Sequence, residues 1–270
     1  MDWLIVTIII VFGLSIGSFL NVVIFRLDKP GSESLSTKPT QPSQTSTTRK
    51  KAGIFRGRSE CRGCKNVLKW YDLIPIVSFL ILQGRCRYCK KNISRIYPSV
   101  EIITAISFWA YFYFRGFTAG SIYDLILISA FVALLFFDLL YFLIPDKIIF
   151  PLIVLALIYN FTTPDFENRL ATALVLSAIF AIMHIASRGR WMGLGDAKLV
   201  FLIGMVFGYP LGALAVLLSV WTAALIGAGL VATKKATLKT ALPLGTFLAF
   251  SSIIFIIFQN ELQKISRIFF

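Results

Sequence analysis

Two aspartates and four cysteines carry the chemistry open to this chain. Asp138 lies in Phe136-Phe137-Asp138-Leu139-Leu140, among apolar residues and about two turns before Pro145. Asp196 closes the segment Gly193-Leu194-Gly195-Asp196. Two carboxyls that meet in a poorly hydrated site cannot both ionise cheaply, so the pair holds one shared proton. That is the working state of an aspartic protease. The ionised member draws a proton from water, and the protonated member polarises the scissile carbonyl. Gly193 and Gly195 suit a loop whose backbone approaches a substrate strand closely. Each aspartate also has a plainer reading: Asp138 as a satisfied buried carboxyl, Asp196 as a helix N-cap.

The cysteines form Cys61-Arg-Gly-Cys64 and Cys86-Arg-Tyr-Cys89, two C-x2-C pairs separated by 21 residues. Tetrahedral zinc takes four soft ligands, and each C-x2-C turn brings two thiolates to one face of the metal. A closed four-thiolate site leaves no position for water, so such zinc is structural. Two disulfides, free thiols or a redox pair are the alternatives. The basic surroundings place the segment in the cytoplasm, which disfavours disulfides, and a redox pair does not explain the doubling.

Other ionisable groups carry less. Glu101 and Asp124 stand near span ends and are expected to reach the interface. His184, the only histidine, is read as a packing or capping residue.

The elements that position these groups are membrane spans. The chain has 270 residues, 57% of them hydrophobic, and mean hydropathy is +0.79, well above a soluble domain. Eight apolar stretches are read as spans, at 3–25, 99–115, 122–144, 148–162, 168–186, 196–207, 211–232 and 246–259. The first lacks a basic leader region and an A-x-A-like cleavage site, so it is read as retained. Gly208-Tyr209-Pro210 breaks the long run 199–232 into a hairpin. The expected fold is an all-α polytopic membrane protein of about eight transmembrane helices with a small cytoplasmic zinc-binding insert.

Charge sets the orientation. The loops 26–98, 145–148, 187–198 and 233–239 hold 23 of the 27 Lys and Arg residues. Basic residues stay in the cytoplasm, so both termini are external and both aspartates sit toward the cytoplasmic face of a bacterial inner membrane. The net charge of +14 also favours anionic lipid head groups beside the spans. It is not read as a nucleic-acid footprint, because no base-stacking module accompanies it. Nothing in the sequence fixes an oligomeric state.

The insert, 26–98, begins with a Ser/Thr/Pro-rich linker over 31–48, expected to be disordered, followed by a basic run over 49–58. Its ordered part contains the apolar stretch 73–82, too short to span and too apolar for a solvated loop, so an interfacial or re-entrant segment is expected. No internal repeat is seen.

An ordered set of motifs runs along almost the whole chain: Gly17-Ser18-Phe19-Leu20-Asn21-Val22-Val23, the paired C-x2-C with Ile74-Pro75 between them, and Tyr97-Pro98-Ser99-Val100-Glu101. It continues with Asp138 before Ile144-Pro145-Asp146, Gly193-Leu194-Gly195-Asp196-Ala197-Lys198 and Pro243-Leu244-Gly245-Thr246-Phe247-Leu248. In these motifs the chain resembles the type IV prepilin peptidases, bifunctional prepilin leader peptidases and N-methyltransferases of the GxGD aspartyl protease class. The resemblance implies catalytic roles for Asp138 and Asp196. Gly193, Gly195, Lys198, Pro145, Asp146, Pro243 and Gly245 support them or the substrate loop. It divides the chain into a first helix at 1–25, the insert at 26–98, a second helix and outer loop at 99–121, and a six-helix protease core at 122–270. It implies prepilin or pseudopilin substrates, each with a basic leader and an apolar helix, and S-adenosylmethionine as methyl donor, although no donor-binding motif is recognisable. The leader's charge asks for acidic receivers such as Asp72, Glu101 or Asp146. One motif departs from the family, which usually reads Pro-Phe-Gly-Pro where this chain has Pro243-Leu244-Gly245-Thr246.

Two rivals from other classes stand beside this reading. A carboxylate-containing transporter predicts repeat symmetry and gives the cysteines no role. A secretion-complex scaffold predicts that each aspartate is dispensable.

Overall fold

The computed structural model describes residues 3–27, 59–190, 192–237 and 240–269. The linker at 31–48 and the basic run at 49–58 lie outside the described residues. The described chain is helical: α1 Trp3–Leu27, α2 Val77–Ile81, α3 Ile96–Arg115, α4 Ser121–Tyr141, α5 Asp146–Asn160, α6 Phe166–Ala186, α7 Leu194–Phe207, α8 Leu211–Ala232, α9 Leu244–Ile257 and α10 Gln259–Phe269. Each of the eight stretches read as spans is a helix, with ends shifted by a few residues. Four of them, α1, α4, α6 and α8, are long and apolar enough to cross a membrane, whereas α9 is apolar but shorter. The carboxy-terminal helix α10 is not among the elements expected from hydropathy, which is low in its polar sequence.

The centre of the bundle is α4. Two thirds of its apolar window (67%) is buried, against 17% for α6 and α8. It packs on α9 and on both α1 and α3, while α6 packs on α7 and α8 on α9. Phe131, Val132, Leu134 and Leu135 of α4 and Leu199, Leu202 and Ile203 of α7 belong to one buried apolar core.

Two contacts explain why particular helices lie together. Gly13 and Gly17, four residues apart on α1, face Ala105 and Glu101, four apart on α3. A Cβ at either glycine would stand 2.6 Å from the opposing Cα, so only glycine lets these backbones meet, as in small-residue packing between membrane helices. On the other side Gly204 of α7 lies against Ala173 of α6 in the same manner, a Cβ there falling 2.4 Å from Ala173 Cα.

The loops alternate between two ends. Leu27, Leu143, Arg190 and Leu242 all line one cavity. The end of α1 and the α4–α5, α6–α7 and α8–α9 connections therefore gather at one end of the bundle, together with Lys147, Arg190 and Lys198. At the opposite end two of the few remaining cations are engaged internally. Arg115 reaches Gln259 Oε1 at 2.5 Å, the Ile256 carbonyl at 3.2 Å and Asp124 at 3.6 Å. Arg169 donates to the Val206 carbonyl.

Glu101 and Asp124 differ from expectation. Both are buried, 7% and 8% exposed, rather than reaching the interface, because each has found polar partners inside. Tyr111 donates to Asp124 at 2.9 Å. Glu101 Oε2 accepts the backbone N–H of Ile76 at 2.8 Å. This second bond tethers the apolar stretch of the insert to α3. There Leu73, Ile74, Val77, Leu80 and Ile81 remain exposed, and Ile76 shares an apolar cavity with Ile10, Leu14, Ile102 and Ile106.

Candidate active site and metal centre

Asp138 stands in the last turn of α4, whose end is set by Phe142 in the left-handed conformation (φ 54°) with its N–H on the Asp138 carbonyl. Asp196 occupies the third position of α7, after the N-cap Gly193, and accepts the Gly193 N–H on Oδ2 at 3.2 Å. The plainer reading of Asp196 is thus partly met: it closes its own helix start, from inside the first turn rather than at the cap. Both aspartates are buried, 5% and 9% exposed, and both line one cavity of about 1140 Å³.

The support comes from a third helix. The α9 start brings Pro243, Leu244, Gly245 and Thr246 against Asp138. Thr246 donates its backbone N–H to Asp138 Oδ2 at 2.6 Å and its hydroxyl to the same oxygen at 3.1 Å. A Cβ at Gly245 would stand 3.0 Å from Asp138 Cγ and Oδ2 and from Ile144 Cδ1. Glycine here keeps the carboxyl in place. Gly195 is similarly pressed by Ile144, 3.0 Å from where its Cβ would be. Among the described residues, the hydrogen bonds to each aspartate all fall on Oδ2, so each carboxyl is anchored through that oxygen.

The structure brings the remaining expected residues to the same cavity, which Pro145, Asp146, Gly193, Gly195, Lys198 and Pro243 all line. Lys198 Nζ pairs with Asp146 Oδ1 at 2.6 Å and lies over the Phe150 ring at 4.9 Å, joining α7 to α5 at the mouth. Of the three acids considered for a basic leader, only Asp146 faces this cavity. Asp72 is engaged by Arg87 at 2.8 Å, Tyr88 and the Lys69 N–H, and Glu101 holds Ile76. His184 packs as expected, its Nδ1 on the Met192 carbonyl at 2.9 Å, at the foot of the loop that leads to Gly193. Thr246 is the residue that sequence reasoning missed as a functional contact. Its signal was its position in the first turn of a helix, where backbone donors are free.

The four cysteine sulfurs lie within 4.8 Å of one another. Cys61 and Cys89 Sγ are 3.8 Å apart, the separation of about 3.8 Å that tetrahedral geometry gives for Zn–S bonds of about 2.3 Å. The two C-x2-C turns are copies of each other. Lys65 N–H closes on the Cys61 carbonyl and Lys90 N–H on the Cys86 carbonyl, at 2.9 and 3.0 Å. Lys65 and Lys90 share a left-handed φ of 59° and 58°, and the bridges Glu60–Val67 and Arg85–Asn92 flank the pairs. An internal repeat is present after all, eight residues long and hidden by the divergent positions around the cysteines. Charge in the cluster is one-sided. Burial opposes ionisation of Cys61, but the N–H groups of Cys64 and Gly63 outweigh it and draw the thiol down to about 6. For Cys64 the Asn66 N–H works toward the thiolate, yet burial and the neighbouring sulfurs push the thiol up to about 11. The cluster accepts one negative charge readily and resists the second, an opposition that a bound dication relieves. The four residues fit a metal.

The insert sits directly on the bundle. Arg62 lies over the Phe25 ring of α1 at 4.1 Å, where α1 meets the start of α3: Phe25 and Tyr97 have centroids 4.6 Å apart, and Asn21 donates to the Tyr97 carbonyl at 3.0 Å.

Comparison with known proteins agrees with this architecture. Residues 11–114 match the bacterial peptidase A24 N-terminal domain, and residues 125–228 match the type IV leader peptidase family. A prepilin leader peptidase/N-methyltransferase of Pseudomonas aeruginosa is 30% identical over 94% of this chain and 91% of its own length. That of Legionella pneumophila is also 30% identical, over 93% and 91%. One from Myxococcus xanthus is 34% identical over 72% of this chain and 53% of its own. No solved structure matches the chain. On these grounds the chain belongs to the prepilin leader peptidase/N-methyltransferase family.

Proposed function

We propose that this protein is a membrane-embedded aspartyl endopeptidase that removes the basic leader from type IV prepilins or pseudopilins at the cytoplasmic membrane face and then N-methylates the new N-terminal residue. The observation that carries the peptidase reading is the convergence of Asp138 and Asp196, from two different helices, on one cavity at the end of the bundle where the basic loops gather. Water held between the carboxyls loses a proton to the ionised one and attacks the scissile carbonyl, whose oxygen takes the proton of the other. The peptide enters from the cytoplasmic end, with its apolar helix in the bilayer and its leader beside Asp146.

The division proposed from sequence stands with this reading: a first helix (1–25), a cytoplasmic insert (26–98), a second helix and outer loop (99–121) and a six-helix protease core (122–270). Zinc is the proposed occupant of the four cysteines, with a structural role. Anionic lipids are proposed to neutralise the basic loops. S-adenosylmethionine supplies the methyl group. The cavity of about 280 Å³ between α1, α3 and Ile76 has Trp109 as its one polar side chain and does not fit a charged donor.

The test is direct. Detergent-purified protein incubated with a prepilin and S-adenosylmethionine yields a product that has lost the leader and gained one methyl group, read by mass spectrometry of the pilin N-terminus. A leaderless product without the methyl group leaves a peptidase alone, and an intact prepilin removes the proposal.

Eight spans with external termini follow from the same reading and have their own measurement. Reporter fusions at Thr45, Arg190 and Lys235 are expected to read cytoplasmic, and fusions at Thr118 and Asp165 external. An external reading at Arg190 would put Asp196 at the wrong face.

A further inference from the structure

The two aspartates are not held alike. Asp138 Oδ2 receives two donors from one residue, the Thr246 N–H at 2.6 Å and the Thr246 hydroxyl at 3.1 Å. Asp196 Oδ2 receives a single backbone N–H, from Gly193, at 3.2 Å. Hydrogen bonds donated to a carboxylate favour its charged form, the more so when short and numerous. Thr246 is also in the first turn of α9, where the helix dipole adds to the preference for a negative charge. Asp196 gains the same kind of help from α7, so the helix ends cancel and the extra hydroxyl and the shorter bond decide.

Other charged and titratable side chains lining the cavity do not reverse this. They are Lys198 from α7, Asp146 and Lys147 from α5, Arg190 from the α6–α7 loop and Tyr141 from α4 itself. Lys198, the cation on the same helix as Asp196, is committed to Asp146 at 2.6 Å.

We propose that Thr246 is a positioning residue that holds Asp138 as the ionised member of the pair, leaving the shared proton on Asp196. This rests on the dyad reading and assigns its two roles. Asp138 takes a proton from water as the water oxygen bonds to the scissile carbon. Asp196 passes its proton to the carbonyl oxygen, giving a tetrahedral diol. As the C–N bond breaks, Asp138 returns its proton to the departing nitrogen and Asp196 recovers one from a diol hydroxyl, so the pair ends as it began.

Steady-state kinetics of the purified full chain test this. Thr246→Val, which keeps the N–H and loses the hydroxyl, is expected to lower kcat about tenfold, the effect of one charge-assisted hydrogen bond, with KM unchanged; Thr246→Ser restores it. A carboxylate that loses a donor ionises less readily, so the acid limb of the kcat/KM profile is expected to move to higher pH in Thr246→Val and to return in Thr246→Ser. An acid limb that stays in place in Thr246→Val, or an unchanged kcat there, overturns the assignment. Cleavage that survives in either single asparagine variant overturns the dyad itself.

Discussion

Asp138→Asn and Asp196→Asn are each expected to lower leader cleavage by about 10³-fold or more, within the range of about 10²–10⁴ that a positioned acid or base supplies, compounded by loss of its partner's role. The substitution is nearly isosteric, and the scaffold around each position can accept it. In Asp138→Asn the side-chain carbonyl oxygen can still take the two Thr246 donors that hold Asp138 at 2.6 and 3.1 Å. In Asp196→Asn the corresponding oxygen can still take the Gly193 N–H. Thermal unfolding in detergent should therefore move little while cleavage, followed by mass spectrometry, disappears. An amide neither receives the water proton nor releases one to the carbonyl, so either change alone removes the cycle. A scaffold or transporter reading predicts the opposite for cleavage. A variant that keeps more than about a tenth of wild-type cleavage would sink the dyad.

The helices and the burial of Asp138 and Asp196 were legible in the sequence because a bilayer asks for apolar helices of a set length, and an isolated aspartate in such a helix stands out. The pairing of helices was not legible. That α4 lies against α9, and so brings Thr246 to Asp138, is a long-range choice made by shape. The contact itself uses a backbone N–H, which any residue but proline has, so composition carries no trace of it. Burial of Glu101 was hidden for a similar reason. Its partner is the Ile76 N–H, and a carboxylate near a span end looks bound for water until that partner is known. The repeated cysteine turn escaped because Glu60–Val67 and Arg85–Asn92 share only a short pattern, the two cysteines with one arginine and one lysine, and differ at the other four positions. The backbone conformation at Lys65 and Lys90 shows the repeat where side chains do not.

The second large effect concerns the insert. The purified protein is expected to carry about one zinc per chain, and Cys61→Ser with Cys64→Ser to carry none. Four sulfurs within 4.8 Å have no strand or sizeable core around them among the described residues of 59–95, only the two isolated bridges Glu60–Val67 and Arg85–Asn92. A bound metal would therefore be the main cross-link, and structural zinc in small domains contributes on the order of 10 kcal/mol. Without it the two turns separate, and protease digestion should cut within 59–95 where the metal-loaded protein resists. The damage has a boundary. The Arg62–Phe25 contact and the hydrogen bond from Ile76 to Glu101 join the insert to α1 and α3, whereas Asp138, Asp196 and Thr246 are held by α4, α7 and α9. Cleavage should accordingly fall far less than the roughly 10³-fold expected of the aspartate variants, while methylation of a pre-cleaved pilin, a reaction that needs no carboxylate pair, falls with the insert. Metal analysis under reducing conditions that finds no zinc in the wild-type protein would remove the claim at its first step. Equal loss of cleavage and methylation in the metal-free variant would show that the insert shapes the aspartate cavity itself.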